Sequence, residues 1–433
     1  MRKMKDSGIE WIGEIPEDWK LKRLQDVADY KKGPFGSAIT KNMFVEKNEN
    51  TIKVYEQKNV INKDATVGYY YISYEKYLTL KKFEVNPGDI LVTCAGTIGE
   101  IFMLPSTCEK GIINQALMRI RLYNNILPKY YLYIFTTVIE VTSEKYSNGS
   151  AMKNIPPFAI MKKLQFPYVP IEIQKKISNF LDGKCGQIDS VKINIQKQIE
   201  TLEQYKKSVI TETVTKGLNP NVKMKDSGIE WIGEIPEHWE TKRGKYIFTQ
   251  RNDRGNNIEL QLLSPTQKYG VIPQTLYDEI SGMNSVKLKE NTDFNLLKTC
   301  HKGDFCISLR SFQGGFEYSK YEGVVSPAYQ IFYSITKIAD GYYKYLFKEK
   351  NFIEKINSFT MSLRDGKPIS FFDFANMYLP LPSAEEQQQI ADYLDKKCLS
   401  VDSIITSKKQ QLEKLEEYKK SLIFEYVTGK KEV

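Results

Sequence analysis

The sequence predicts an α+β fold built twice: two mixed α/β domains with much sheet, separated by two long helices that pack as an antiparallel coiled coil, the halves forming a pseudo-two-fold internal repeat. Three observations predict it. Residues 4–19, MKDSGIEWIGEIPEDW, return at 224–239 as MKDSGIEWIGEIPEHW, alike at fifteen of sixteen positions, with only Asp18 exchanged for His238. A looser repeat aligns residues 174–215 with 387–428 at a constant offset of 213. Each copy of that second repeat places apolar side chains every seven residues, the pattern of helices packed side by side. An internal repeat outranks local signals, because each copy must be one structural unit.

The expected organisation follows the repeats. Residues 1–170 hold an entry segment and the first domain, and 171–217 the first long helix. Residues 218–381 hold a linker, the second entry and the second domain, and 382–433 the second long helix. A chain of 433 residues with 41% hydrophobic content can build two ordinary cores. No run of ~18 apolar residues is present, so no membrane span is expected. The opening MRKMKDSG lacks an apolar stretch after its charges, which argues against a secretory signal. Cys94, Cys108, Cys185, Cys300, Cys306 and Cys398 form no CxxC pair, and Cys185 and Cys398 hold equivalent places on the long helices, as buried thiols would. A reduced, cytoplasmic protein is the expectation.

The entry segments read as structural fittings. Trp11, Trp19, Trp231 and Trp239 are the only tryptophans, set among turn-forming Asp-Ser-Gly and Ile-Pro-Glu. In the first domain, strand-like runs at 52–55, 68–73, 90–94 and 101–104 alternate with turns at Pro87-Gly88-Asp89 and at Ala95-Gly96-Thr97-Ile98-Gly99. Residues 111–122 read as a strand pair and 128–140 as a helix. The second domain parallels this: Gly303-Asp304 turns into the run 305–309, Arg310-Ser311-Phe312-Gln313-Gly314-Gly315 follows, and Ser326-Pro327-Ala328-Tyr329 stands where Asn114-Gln115-Ala116 stood.

In the first long helix Leu181, Ile188, Ile195, Leu202 and Val209 form one line and Ile177, Val191 and Tyr205 another, interrupted by Lys184 and Gln198. The second repeats it with Leu394, Val401, Leu415 and Leu422 plus Ile390, Ile404 and Tyr418, and with Lys408 where Ile195 stood. Ser383-Ala384-Glu385-Glu386 opens it as a capping box, while Gly217 and Pro220 stop the first. Gly183 and Gly186 weaken the early turns and allow a bend. About 43 residues at 1.5 Å each make a rod of roughly 65 Å, the length of a spacer.

Charge is unevenly placed. Residues 20–168 carry 21 Lys and Arg against 13 Asp and Glu, and residues 240–380 carry 19 against 15. The whole chain is only +9, so the excess lies in the two segments that differ and the repeated parts are net acidic. That is the footprint of a polyanion-binding surface. Two basic domains held at a set separation suit duplex DNA, whose groove face recurs about every 34–36 Å. Each domain would read one half-site, Arg and Lys choosing guanine, Gln and Asn adenine.

The paired MKDSGIEWIGEIPE-x-W entries, the closing runs Pro-Ile-Glu-Ile-Gln (170–174) and Pro-Ser-Ala-Glu-Glu-Gln (382–387), and the heptad helices together resemble the specificity subunit of Type I restriction–modification systems. The resemblance covers the whole chain; the first closing run is one residue shorter than the second. It implies two target-recognition domains and two helical spacers. It also implies double-stranded DNA as ligand, methyltransferase subunits as partners, usually two, and endonuclease–translocase subunits. In that family this subunit chooses the site and its partners do the chemistry.

The residues themselves point the same way. An adenine methyltransferase needs Asn/Asp-Pro-Pro-aromatic with a Gly-rich cofactor loop, but Asn154-Ile155-Pro156-Pro157-Phe158 has an extra isoleucine and no such loop before it. No GxxxxGK[ST] occurs, since every Gly-Lys pair lacks the rest of the motif. Two histidines, with His301 alone near Cys300 and Cys306, make a poor metal set. No catalytic residue, metal or cofactor is therefore expected. Candidate DNA contacts are Lys31, Lys32, Ser37 and Lys41, with Gln57 and Lys58, in the first domain. In the second they are Arg251, Arg254, Gln267, Lys268, Arg310, Gln313, Arg364 and Lys367. A solvated surface charge is the plain alternative for each. A non-enzymatic coiled-coil scaffold whose domains bind proteins is the competing function.

Overall fold

The computed structural model describes residues 2–95, 97, 99–146, 157–254, 260–282, 294–308, 315–359 and 369–433. The chain forms two compact units: Met1–Asn194 with Gln411–Val433, and Ile195–Gln410. Each long helix therefore gives one half to each unit.

The first unit begins with the entry hairpin, Met4–Asp6 paired with Glu14–Pro16. Strand Lys20–Arg23 pairs antiparallel with Gln165–Tyr168, so the first and last strands of the domain lie side by side. Between them are two four-stranded sheets. One runs Ala28–Lys32, Leu117–Leu122, Ile90–Thr93, Ile101–Met103; the other runs Tyr71–Ser73, Thr51–Tyr55, Gly111–Ile113, Glu84–Val85. Strand Ile90–Thr93 is buried throughout, and its period-two alternation divides it between cores. Ile90 and Val92 join the core of helix Pro128–Tyr146 and the long helices, while Leu91 faces the core of the second sheet.

The second unit repeats the plan. Its entry pairs Met224–Asp226 with Glu234–Pro236, and Glu240–Arg243 pairs with Tyr378–Leu381. Its main sheet, Phe248–Arg251, Gln330–Ser334, Phe305–Ile307, Phe316–Tyr318, has the strand order of its counterpart. The interior differs. Where the first unit packs Ile90, Val92, Ile120 and Ile134, the second packs Phe248, Phe305, Phe332, Phe347 and Phe374, with Phe248 and Phe332 edge-to-face at 5.4 Å.

The long helices span Ile171–Lys216 and Ala384–Val427. Helix Ile171–Lys216 runs unbroken through Gly183 and Gly186. In the first unit Lys419 bonds Asp189 at 2.7 Å and Lys192 pairs with Glu416, so one helix ascends as the other descends. In the second unit Lys206 bonds Asp402 at 2.6 Å. One predicted line is buried at Leu181, Ile188, Ile195, Leu394 and Val401. The other is not sustained: Val191, Tyr205, Ile404 and Tyr418 are exposed, and Ile199 and Ile405 are buried instead. A seven-residue repeat drifts about 20° per heptad around a 3.6-residue helix, and a two-helix contact buries one narrow stripe.

Two devices recur in both units. Gln174 and Gln387 are fully buried in the first turn of each long helix. Gln174 accepts from the Leu127 amide and donates to the Val169 carbonyl; Gln387 accepts from Ala339 and donates to Pro382, all at 2.8–2.9 Å. The second device joins each entry segment to a helix end. Gly429 (φ +74°) lies so close that a Cβ would sit 2.6 Å from Pro16 and 2.8 Å from the Trp19 ring; Gly217 (φ +76°) places one 3.3 Å from Trp239.

Asp395 accepts from the Lys344 ammonium at 2.6 Å and the Tyr345 hydroxyl at 2.5 Å. Burial works against its charge, but these two donors outweigh burial and hold the carboxyl below its ordinary value.

Two expectations follow. Gly429→Ala should cost about 2–4 kcal/mol by adding a clash to the left-handed strain, whereas Gly8→Ala, at φ +69° with nothing within 4 Å, should cost only about 1 kcal/mol; urea denaturation compares them. Because the folded pKa of Asp395 is depressed, its stabilisation is present above the unfolded carboxylate value and is lost as pH falls through the folded one. Asp395→Asn should therefore be less stable near neutrality and approach the parent below about pH 4, read from urea midpoints across pH.

Candidate nucleic-acid interface

In the first unit four chain segments meet at one end of the main sheet. Strand Ala28–Lys32 ends on Lys31 and Lys32, and Gly33 then passes so close to Asn114 that a Cβ would strike its carbonyl. The Gly33 amide donates to Leu117 at 2.9 Å, the Cys94 amide to Ala116 at 2.8 Å and the Asn114 amide to Tyr55 at 3.0 Å. The Gln57 side chain donates to the Ala95 carbonyl. Glycine at 33 is thus required by backbone approach, and the segments at 33–41, 94–95 and 114–116 are joined through main-chain bonds, with the helix start at 57–58 tied to them by the Gln57 side chain.

Six predicted residues fall on this patch. Lys32, Ser37, Lys41 and Lys58 are exposed, Lys31 is half-buried with its ammonium 5.8 Å from the Phe83 ring centre, and Gln57 is held by Ala95. The exposed lysines suit phosphate, which positions a protein without reading sequence. Gln115 is exposed between the anchored residues 114 and 116 and was not among the candidates. The signal for it was an amide in a short loop between two strands, which acquires meaning only once Gly33 and Cys94 are seen beside it.

In the second unit the predicted residues divide. Gln267 and Lys268 are exposed at the tip of the hairpin Leu263–Thr266/Gly270–Pro273, with Lys268 4.9 Å over the Tyr269 ring. Arg254 is exposed, and its main chain pairs with that of Lys298 in an isolated antiparallel β-bridge. Burial, helped by the Arg254 charge, lowers the Lys298 pKa, and that ammonium donates to the Tyr329 carbonyl at 2.7 Å. Arg251 is committed inward. It crosses the Tyr333 ring at 4.1 Å, grips the Asp304 carboxylate at 2.8 and 3.1 Å and reaches Asp253 at 3.0 Å. Burial opposes its charge, yet the two carboxylates raise its pKa. Arg310, Gln313, Arg364 and Lys367, with residues 154–156, lie outside the described residues.

Asp304 has a counterpart in the first unit. Asp89 is equally buried, accepts from the Asn86 amide at 2.7 Å and binds Arg121 at 2.8 and 2.6 Å; Asp304 accepts from the His301 amide at 2.8 Å. Arg251→Ala should strand the Asp304 carboxylate and destabilise the protein by about 3–5 kcal/mol, whereas Lys268→Ala should shift stability by no more than about 0.5 kcal/mol. Thermal denaturation of the two variants checks this, and equal midpoints would contradict it.

Among the described residues no group of three or more His, Cys, Asp or Glu could hold a metal ion, and no helix is long and apolar enough to cross a membrane. The arrangement offers a cationic, amide-bearing loop cluster on the first unit and, on the second, exposed Arg254 beside Lys298 and exposed Gln267 and Lys268 at a hairpin tip. The chain is 26% identical to the Type I restriction enzyme MjaVIII specificity subunit of Methanocaldococcus jannaschii, over 96% of this chain and 93% of that one. Its fold resembles a chain from a solved structure titled for complex assembly and conformational transition of the type I R-M system. That likeness has a TM-score of 0.65 at 14% identity and covers 95% of this chain and 98% of the other. The model of the Type I restriction modification DNA specificity domain matches twice, at residues 16–201 and 233–417. With that domain present twice on one repeated scaffold, the chain belongs to the Type I restriction–modification DNA specificity family.

Proposed function

We propose that this specificity subunit reads a bipartite duplex target, one half-site per unit, and presents it to methyltransferase subunits, usually two, and through them to endonuclease–translocase subunits. The observation that carries this reading is the repetition of one scaffold beneath unlike exposed polar and cationic residues: Lys32, Lys41 and Lys58 on one unit, and Arg254, Gln267 and Lys268 on the other. The long helices act as the spacer between half-sites and as the docking surface for partners. Exposed Val191 and Ile193 in the first unit, and Leu399 and Ile404 in the second, support the docking role. The transfer of methyl groups to adenine, and the strand cleavage, belong to the partners. The complex works in the cytoplasm, where the host DNA lies.

The test is duplex binding by the chain assembled with its methyltransferase subunits. One duplex should be preferred over scrambled controls, with affinity falling steeply as salt rises because bound phosphates release counterions. Lys58→Ala should lower the slope of log K against log salt by about one and weaken all duplexes alike. Equal binding to every duplex would refute the reading.

A further inference from the structure

Phe35 is 91% exposed, more than any other large apolar side chain among the described residues of the first unit. Single exposed apolar residues are ordinary on a protein surface, but three features set this one apart. Its mount is rigid. Pro34 before it and Ile39 after it are buried, the Ala38 amide bonds the Phe35 carbonyl at 2.8 Å, and Gly33 is pinned against Asn114. Its flanks give no shelter, since Gly36 and Ser37 are exposed and small. Its surroundings are cationic: residues 30–45 contain Lys31, Lys32 and Lys41 and no Asp or Glu.

We propose, resting on the reading above, that Phe35 stacks on a base step at the margin of the half-site taken by the first unit and holds that step partly open. An aromatic face accepts any base, so the contact discriminates by how readily the step unstacks rather than by its hydrogen-bonding edge. Apolar wedges flanked by phosphate-binding cations open duplex steps in this way. The lysines hold the backbone on either side, and the hydrogen-bonded turn keeps the ring from folding back when the duplex pushes against it. A protein partner is the less suitable occupant, because the apolar contact is one ring in a cationic margin rather than a contiguous patch.

The experiment uses the full chain assembled with its methyltransferase subunits and a duplex that the complex selects from a randomised pool. 2-Aminopurine is placed singly at each position in and beside the target. Phe35→Ala should bind the selected duplex about 10- to 100-fold more weakly, with the slope of log K against log salt unchanged because no phosphate contact is lost. The 2-aminopurine signal at one step should fall with it, and Phe35→Trp should restore both. Lys32→Ala should do the converse, lowering the salt slope by about one and sparing the 2-aminopurine signal. Circular dichroism should show the parent melting point for Phe35→Ala, since the ring contributes little to the core. Parent affinity and an unchanged 2-aminopurine pattern in Phe35→Ala would overturn the proposal alone. Loss of partner subunits with normal DNA binding by the assembled remainder would overturn it too, assigning the ring to a protein contact. Indifference of the parent complex among duplexes would overturn the preceding reading together with this one.

Discussion

The seating of an entry tryptophan against the end of a long helix is the contact on which each unit depends. Trp19 and Trp239 are buried almost completely, each against a left-handed glycine, Gly429 and Gly217. A tryptophan buries about 150–250 Å², and here that area ties the entry hairpin of each unit to a helix end, at the far end of the chain in the first unit and just upstream of the hairpin in the second. The buried glutamines complete the frame. Gln174 and Gln387 fasten the opening turn of the other long helix to the start of the domain's own helical segment, through main-chain partners at Leu127 and Ala339. A side-chain amide that satisfies one donor and one acceptor in a dry site specifies a geometry as well as stabilising it.

On that frame the two interiors have diverged without changing strand order. One core is chiefly Ile and Val and the other adds a large group of Phe to its Ile, yet both fill the space between sheet and helices. The buried aspartate at the turn before the central strand is kept in both, while its arginine is not. Arg121 comes from the neighbouring strand Leu117–Leu122, and Arg251 comes from Phe248–Arg251 and passes over Tyr333. The requirement is a counter-charge for a buried carboxylate, and either strand can supply it.

The repeats, the structural role of the entry segments, the helix ends and the central strands were legible in the sequence, because each rests on local pattern: a duplicated string, turn residues, a seven-residue period; that each entry folds as a hairpin was not. The matching of the central runs as equivalent strands agrees with the sheet order of both units over Ile90–Thr93 and Phe305–Ile307. What escaped depends on partners remote in the chain. Nothing near Arg251 reveals that Asp304 waits two strands away, so a committed ion pair looked like a free cation. Gln115 looked like a connector until Gly33 and Cys94 were brought beside it. The exposed positions Val191 and Tyr418 fitted the heptad and missed the seam because a straight helix rotates them out of it.

Each domain begins and ends in one antiparallel ribbon, Lys20–Arg23 against Gln165–Tyr168 and Glu240–Arg243 against Tyr378–Leu381. Its point of departure from the frame is therefore also its point of return. Everything between those strands leaves and rejoins the frame at one ribbon, and it rests on the long helices as well, through Leu127 on Gln174 and Ala339 on Gln387. An insert of other content would therefore fit the frame if it kept the ribbon, the amide that meets the buried glutamine and the apolar face that meets the long helices.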